Sequence, residues 1–343
     1  MPKDNRIRII QEIEKLRGSR VITYLTSTRQ NLEVQMAMDS VRIVYDHLTH
    51  HFTTRDKAPV DLYIHSNGGD GTVPWRLVTL IREYSSQLSV LIPHRAFSAA
   101  TLTALGADKI VMHPMAMLGP TDPTVANAFN PVDPQTNQKV GISVEDVTAY
   151  IALIKDDAGI QHEDEMVQAF NKLADHVHPL ALGNVKRSLS QSRLMARKLL
   201  HLHTDSSHAQ HQIDKIVDNL TSKLFFHGHP INRKEAVEEL GLRSVEEPGP
   251  ELEALVWELY RDYETEMRLE EPFMPVIEFN LAFPQPAPGQ TLVTPPATAK
   301  IAYIESIHQT NVNKLNYQIS GAKQPNGTLT AATIMLSQGW EIE

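Results

Sequence analysis

Hydrophobic positions in the first third of the chain switch between two periods. Short apolar runs at Val21–Leu25, Val60–Ile64, Leu88–Ile92 and Lys109–Met112 read as strands. Between them, apolar residues recur at three- and four-residue spacing. Val34, Met38, Val41, Tyr45 and Leu48 predict a helix over Glu33–His50, and further helices are expected over Pro74–Glu83 and Ser98–Leu105. Ile9, Ile10, Ile13 and Leu16 mark an amphipathic helix ahead of the first strand. Strands separated by helices of this length imply βαβ crossovers and a mainly parallel α/β sheet. Such sheets place ligands beyond the carboxyl ends of their strands.

The pattern then changes. Residues 124–140 turn to Asn, Pro and Gln, as a surface loop would. Residues 143–270 read as mostly helical, with Ser143 and Asp146 fitting an N-cap pattern. The runs Glu163–Ala174, Ala181–Leu202, Ala209–Leu220 and Glu251–Arg268 continue the helices. Residues 271–299 are Pro-rich and without period, which predicts a linker or extended arm. Lys300–Glu343 has three strand-like runs, with Asn326-Gly327 as a hairpin turn. The expected division is a core over 1–245, then a helix, Pro-rich linker and small β-rich tail over 246–343. The Pro272–Pro296 stretch suits lying across a neighbour, carrying the β-rich tail to a second subunit.

Composition narrows the function classes. A net charge of -9 argues against general nucleic-acid binding, which needs a basic face. With no cysteine there is no disulfide framework, thiol nucleophile or thiolate metal site. The N-terminus lacks the apolar core of a secretory signal, and the most apolar stretch, Val90–Ala107, is interrupted by His94 and Arg95. A soluble, cytoplasmic protein with no transmembrane segment is expected. His227-Gly228-His229 could share a metal, but no third ligand is clearly placed with them and a turn is the simpler account. Scattered surface positions account for His201, His203, His208 and His211. No metal or cofactor is expected.

Two strand ends carry the chemistry. Ser66-Asn67-Gly68-Gly69 follows the Val60–Ile64 strand, and a Gly-Gly pair there can take backbone angles closed to other residues and let a carbonyl approach its amides. A tight turn would explain the pair equally well. Ser98 heads the small-residue helix after Leu88–Ile92, flanked by Ala96, Ala99 and Ala100. A serine there is often only an N-cap. One βα unit apart, the two loops are the parts of an acyl-transfer site: oxyanion donors and a nucleophile.

Ala96-Phe97-Ser98-Ala99-Ala100, followed by Ala107-Asp108-Lys109-Ile110, resembles the nucleophile segment of the signal-peptide-peptidase-like branch of the Clp/crotonase superfamily. Ile64–Gly69 resembles its oxyanion loop, and Pro114–Pro120 the strand that follows. With Phe225–Arg233 and Leu240-Gly241-Leu242, the chain looks most like the serine dehydrogenase proteinase family, over about residues 20–245. The resemblance implies a Clp/crotonase-like spiral core, a helical extension and a serine peptidase acting on peptides or unfolded proteins. It implies Ser98 as nucleophile, the amides of Gly69 and Ala99 as oxyanion donors, and Gly68 and Thr121 at the substrate. The Clp histidine position falls near Thr121, whereas related branches use a lysine, for which Lys139 is the match and His113 the next to test. A lysine base must be kept neutral by burial or nearby positive charge, and a solvated loop lysine is the alternative reading. A homo-oligomer is also implied. Two rivals remain open: a crotonase-type acyl-CoA enzyme and a non-catalytic assembly protein on the same fold.

Overall fold

The computed structural model describes residues 2–51, 57–121, 124–125, 127–134, 137–202, 210–223 and 228–343. His203, His208 and His227 lie outside them. The strands are β1 (Arg20–Thr26), β2 (Ala58–His65), β3 (Ser85–Ile92), β4 (Arg95–Ala96), β5 (Lys109–Met112), β6 (Met117–Leu118), β7 (Thr124–Val125), β8 (Ile142–Ser143), β9 (Val245–Glu246), β10 (Thr291–Val293), β11 (Ala297–Glu305), β12 (Thr310–Lys323) and β13 (Leu329–Ile342). The helices are α1 (Pro2–Arg17), α2 (Asp39–His51), α3 (Val73–Tyr84), α4 (Ala99–Leu105), α5 (Val144–Ala152), α6 (Glu163–His176), α7 (Pro179–Leu200), α8 (Gln210–Asp218), α9 (Arg233–Glu238), α10 (Pro250–Met267) and α11 (Pro275–Ala282). No helix among the described residues is long and apolar enough to cross a membrane.

β1, β2, β3, β5 and β9 run parallel, as the alternation of strands and helices requires. Side-chain alternation then assigns each strand residue to one of two cores. Ile22, Tyr24, Leu62, Ile64 and Val90 pack with residues of α2, α3, α4, α7 and α8. Val21, Leu25, Tyr63 and Leu91 pack on the other face with Ile9, Ile10 and Ile13 of α1 and with α10. Both faces of the parallel strands are covered, which is why their apolar runs are nearly continuous.

The tail departs from the expectation of a separate extended arm. β11 pairs antiparallel with β1 of its own chain, and β12 pairs with β11, β10 and β13. All belong to one nine-stranded sheet among the described residues, with β13 at its edge. Residues 271–299 are not structureless: they hold α11 and β10, and Phe273 and Phe279 are buried with Ile301, Leu315, Tyr317 and Ile319. Proline denies the segment a long regular element, but burying two phenylalanines fixes it in place. The segment expected to reach a second subunit therefore completes this one. The helix expected over 33–50 also starts late, at Asp39, because residues 32–35 take no regular structure and Met36 bridges to Gly69 of the Gly-Gly loop.

A buried polar knot joins the two ends of the chain. The Arg6 guanidinium in α1 donates from Nε to Glu305 of β11 and from Nη1 to Asp262 of α10, both at 2.8 Å. Arg6 and Glu305 are 1% and 0% exposed. Glu305 also accepts from the hydroxyls of Tyr263 and Thr310, each at 2.6 Å. The fully satisfied cluster tolerates burial, but removing one charge strands the other. Arg6→Met is expected to lower unfolding stability by about 3 kcal/mol or more, and adding Glu305→Gln should recover part of that loss. Urea denaturation of the single and double variants measures both.

Candidate active site

Two loops at the carboxyl end of the sheet are joined backbone to backbone. The Ser66 N–H donates to Arg95 O at 2.9 Å, and the Phe97 N–H donates to Ser66 O at 3.0 Å. These bonds continue the parallel pairing past β2 into β4, so the chain reaches Ser98 with little freedom. β4 is pinned on its other side to β6. Ser66 Oγ accepts the Gly68 N–H at 3.0 Å and shares a hydrogen bond with Thr26 Oγ1 at 2.7 Å.

Ser98 sits at φ 52 and ψ -113, a conformation that a residue with a side chain adopts only at a cost. It occupies the N-cap position of α4, yet its side chain makes no capping hydrogen bond. The simplest alternative role for a serine here is therefore absent. Its hydroxyl bonds no described residue, and Ser98 lines a cavity of about 630 Å³. Thr101, buried one turn into α4, holds the turn from beneath. Its single hydroxyl proton lies between the carbonyls of Ala96 at 2.6 Å and Gly119 at 2.8 Å, and its oxygen accepts the Gly119 N–H at 3.1 Å.

Gly68 and Gly69 have φ 96 and φ 155. A Cβ on Gly68 would lie 2.6 Å from Phe97 O, 2.7 Å from Ser98 Cβ and 2.9 Å from Ala99 N. The first glycine is thus pressed against the serine turn. The second is pressed against Met36: the Met36 N–H donates to Gly68 O at 2.8 Å and the Asp70 N–H donates to Met36 O at 3.0 Å. With those bonds made, the N–H groups of Gly69 and Ala99 donate to no acceptor among the described residues. An N–H without a protein partner beside a strained serine has the chemistry of an oxyanion donor.

Ser98, Gly68, Gly69 and Thr121 all line the cavity, with Asn67, Ser188 and Ser192 among their neighbours. Thr121 is buried; its N–H donates to Leu220 O at 2.9 Å and its carbonyl accepts from the Ser192 hydroxyl at 2.6 Å. Lys139 is not among the cavity-lining residues. It is exposed on the hairpin that pairs Val132 with Lys139, where its ammonium donates to Ala128 O. Among the described residues, none forms an ion pair with Lys139, and its side chain stands apart from the cavity that Ser98 lines. His113 is also elsewhere, stacked on Trp257 at 4.8 Å, with Nδ1 accepting the Met115 N–H. Among the described residues, no histidine or lysine lines this cavity.

Sequence reasoning missed His65, which belongs to the frame beneath the site. Its Nδ1 accepts the Arg95 N–H at 3.3 Å, leaving Nε2–H to donate to Thr28 Oγ1 at 3.1 Å. Complete burial, then His94 and Arg95, holds this imidazole well below its ordinary range, so it stays neutral. His94 Nδ1 pairs with the Tyr260 hydroxyl at 2.9 Å. His229, considered above as a metal ligand, instead contacts Glu235 at 2.6 Å, and no cluster of three metal-binding side chains occurs among the described residues.

The model of the family described as ClpP-like SDH-type serine proteinases matches residues 2–196, more than half of the chain. Two uncharacterized proteins of Methanocaldococcus jannaschii are similar. One, MJ1495, is 32% identical over 125 residues, 35% of this chain and 42% of its own length. The other, MJ0137, is 26% identical over 267 residues, 75% of this chain and 78% of its own length. The chain thus spans under half of the first relative and over three quarters of the second. A solved structure of a mutant membrane-bound stomatin-specific protease aligns over 61% of this chain and 76% of that one, at 14% identity and a TM-score of 0.34.

The loop packing makes a test with an internal control. Gly68→Ala combines a positive φ with contacts under 3 Å and is expected to cost about 2 kcal/mol or more. At Gly71 an added Cβ meets nothing within 4 Å, so Gly71→Ala should change stability by no more than about 0.5 kcal/mol. Equal urea midpoints for the two variants would refute this packing account.

Proposed function

We propose that this chain, which belongs to the ClpP-like SDH-type serine proteinase family, hydrolyses peptide bonds with Ser98 as nucleophile. The observation that carries the proposal is the strained, non-capping Ser98 open to the cavity. A conformation that costs about 1–3 kcal/mol persists where surrounding structure imposes it, and such positions cluster at active sites. In the proposed reaction, a general base takes the Ser98 hydroxyl proton as Oγ bonds to the carbonyl carbon of the peptide and the carbonyl π bond opens. The carbonyl oxygen takes up the negative charge and is held by the amides of Gly69 and Ala99. On collapse the C–N bond breaks, the base passes its proton to the departing amine, and water hydrolyses the acyl-enzyme left behind, returning a proton to Ser98 Oγ. Gly68 and Thr121 would shape the wall against which the peptide lies.

Lys139, exposed and outside the cavity lining, is not supported as the base. The crotonase-type alternative needs paired amides but no serine nucleophile, so the strain at Ser98 favours hydrolysis over it. Assembly into a homo-oligomer is part of the same proposal. Its support is the edge strand β13, exposed along most of its length and uncharged from Leu329 to Trp340, where monomers usually place charges. Light scattering on the full chain tests this, and a monomer would refute it.

Ser98→Ala is expected to abolish fluorophosphonate labelling and to lower peptide hydrolysis by at least about a thousandfold. Labelling that persists at another residue would remove Ser98 from the mechanism. Because Lys139 stands outside the cavity lining, Lys139→Arg, which leaves no base at that position, is expected to keep activity within about threefold of the parent. An inactive, folded Lys139→Arg would return the base to the hairpin.

A further inference from the structure

A second cavity of about 330 Å³ adjoins the first, and Asn67 and Glu33 line both. Its wall includes His94, Arg95 and Tyr260. Two of the residues lining it each hold a buried side-chain atom without a hydrogen-bond partner among the described residues: Asn67 Oδ1, an acceptor, and Arg95 Nε, a donor. Such groups are uncommon in folded proteins, and each calls for a ligand, a water or a functional reason. The guanidinium of Arg95 forms no ion pair or hydrogen bond with a described residue. The imidazoles beside it add no charge of their own, because burial keeps both His65 and His94 below their ordinary range. The carboxylates of Glu33 and Glu270 stand at the rim and are exposed, so water weakens their influence on an entering anion.

The two orphaned atoms have a shared complement. An amino-acid unit that carries a carboxylate also carries a backbone N–H. We propose that this cavity is a carboxylate-recognition subsite of the peptide groove, where Arg95 binds a substrate carboxylate and Asn67 Oδ1 accepts the N–H of the residue that bears it. Arg95 is three positions before Ser98, and its backbone is fixed by the bonds to His65 and Ser66. Its side chain is thereby anchored beside the proposed point of cleavage without taking part in the frame. Arginine suits the task because its planar donors can match a carboxylate in two places. The carboxylate can come from the C-terminus of the peptide or from an Asp or Glu side chain. The first would make the chain a trimmer of peptide ends, and the second would give it preference at internal acidic positions.

The inference rests on Ser98 as the point of cleavage, so its test separates binding from chemistry. The probes are three N-terminally fluorescein-labelled peptides: Ala-Ala-Phe-Leu as the free acid, the same sequence as the C-terminal amide, and Ala-Ala-Phe-Asp as the amide. Binding to the full chain carrying Ser98→Ala is read by fluorescence anisotropy. The free acid is expected to bind at least about tenfold more tightly than its amide, from charge-assisted hydrogen bonds. Adding Arg95→Gln should erase the difference, and Arg95→Lys should retain part of it. If the Asp-bearing amide gains the Arg95-dependent advantage instead, the subsite stands and a side chain is the source. Equal affinity for all three peptides, a preference that survives Arg95→Gln, or no binding up to about 1 mM overturns the proposal. Fluorophosphonate labelling of the parent chain reports separately on Ser98. Labelling without a carboxylate preference rejects the subsite alone, whereas a preference without labelling rejects the nucleophile alone.

Discussion

The site depends on one pair of backbone hydrogen bonds, from Ser66 N–H to Arg95 O and from Phe97 N–H to Ser66 O. They extend strand pairing past the point where the main sheet stops. Without them, the Gly-Gly loop and the serine turn would be two ordinary connections. With them, Gly68 is packed into the backbone of Phe97, Ser98 and Ala99, and the serine is held at positive φ. A folded domain has a net stability of only about 5–15 kcal/mol, so a strained residue survives only where several contacts enforce it together. Here β6 flanks β4, Thr101 grips Ala96 and Gly119, and residue 36 grips residues 68 and 70.

The frame that bears this strain is built from both ends of the chain. The α1 helix and the α10 helix cover one face of the parallel strands, and the Arg6–Glu305 contact ties both to β11. The same layer supplies Tyr260, whose hydroxyl meets His94 beneath the serine loop. Burial raises the Tyr260 pKa and lowers that of His94, so both are neutral in the physiological range. Among the described residues that line the second cavity, Arg95 is the one cation, set beside the neutral His94 and Tyr260, with the exposed carboxylates of Glu33 and Glu270 also in the lining. This arrangement makes the guanidinium, rather than its imidazole neighbours, the electrostatic feature that a ligand would meet.

The parallel strands and the two loops were legible because each was stated by local pattern: continuous apolar runs for strands covered on both faces, and Gly-Gly or a small-residue turn at their ends. Residues 32–36 were misread because two periods overlap there. Val34, Met38 and Val41 fit a helix, whereas Leu32, Val34 and Met36 alternate as an extended segment, and Met36 is fully buried against the Gly-Gly loop. The tail was misread because proline content predicts what a segment cannot form, not what it packs against; Phe273 and Phe279 decide its place. Lys139 rests on resemblance to branches that use a lysine, and the burial that a lysine base needs is a property of tertiary structure that no local pattern encodes. Arg95 and Asn67 were visible in the sequence, yet their lack of partners emerges only when every neighbouring group has been accounted for.

The division of labour within the loops has a consequence for how specificity can change. The bonds that position Ser98 run through main-chain atoms of Met36, Ser66, Gly68 and Arg95, with the side chains of Ser66 and Thr101 as supplements. Main-chain bonds are indifferent to the identity of the side chain that projects from the same residue. Gln35, Asn67 and Thr72 line the main cavity, and Arg95 lines its neighbour, while the backbone nearby maintains the frame. Substitutions at such positions can alter charge and hydrogen bonding toward a peptide without releasing the turn. The glycines are the opposite case, because their lack of a side chain is itself the contact. The geometry thus separates residues that must stay to hold the nucleophile from residues that can change to select what reaches it.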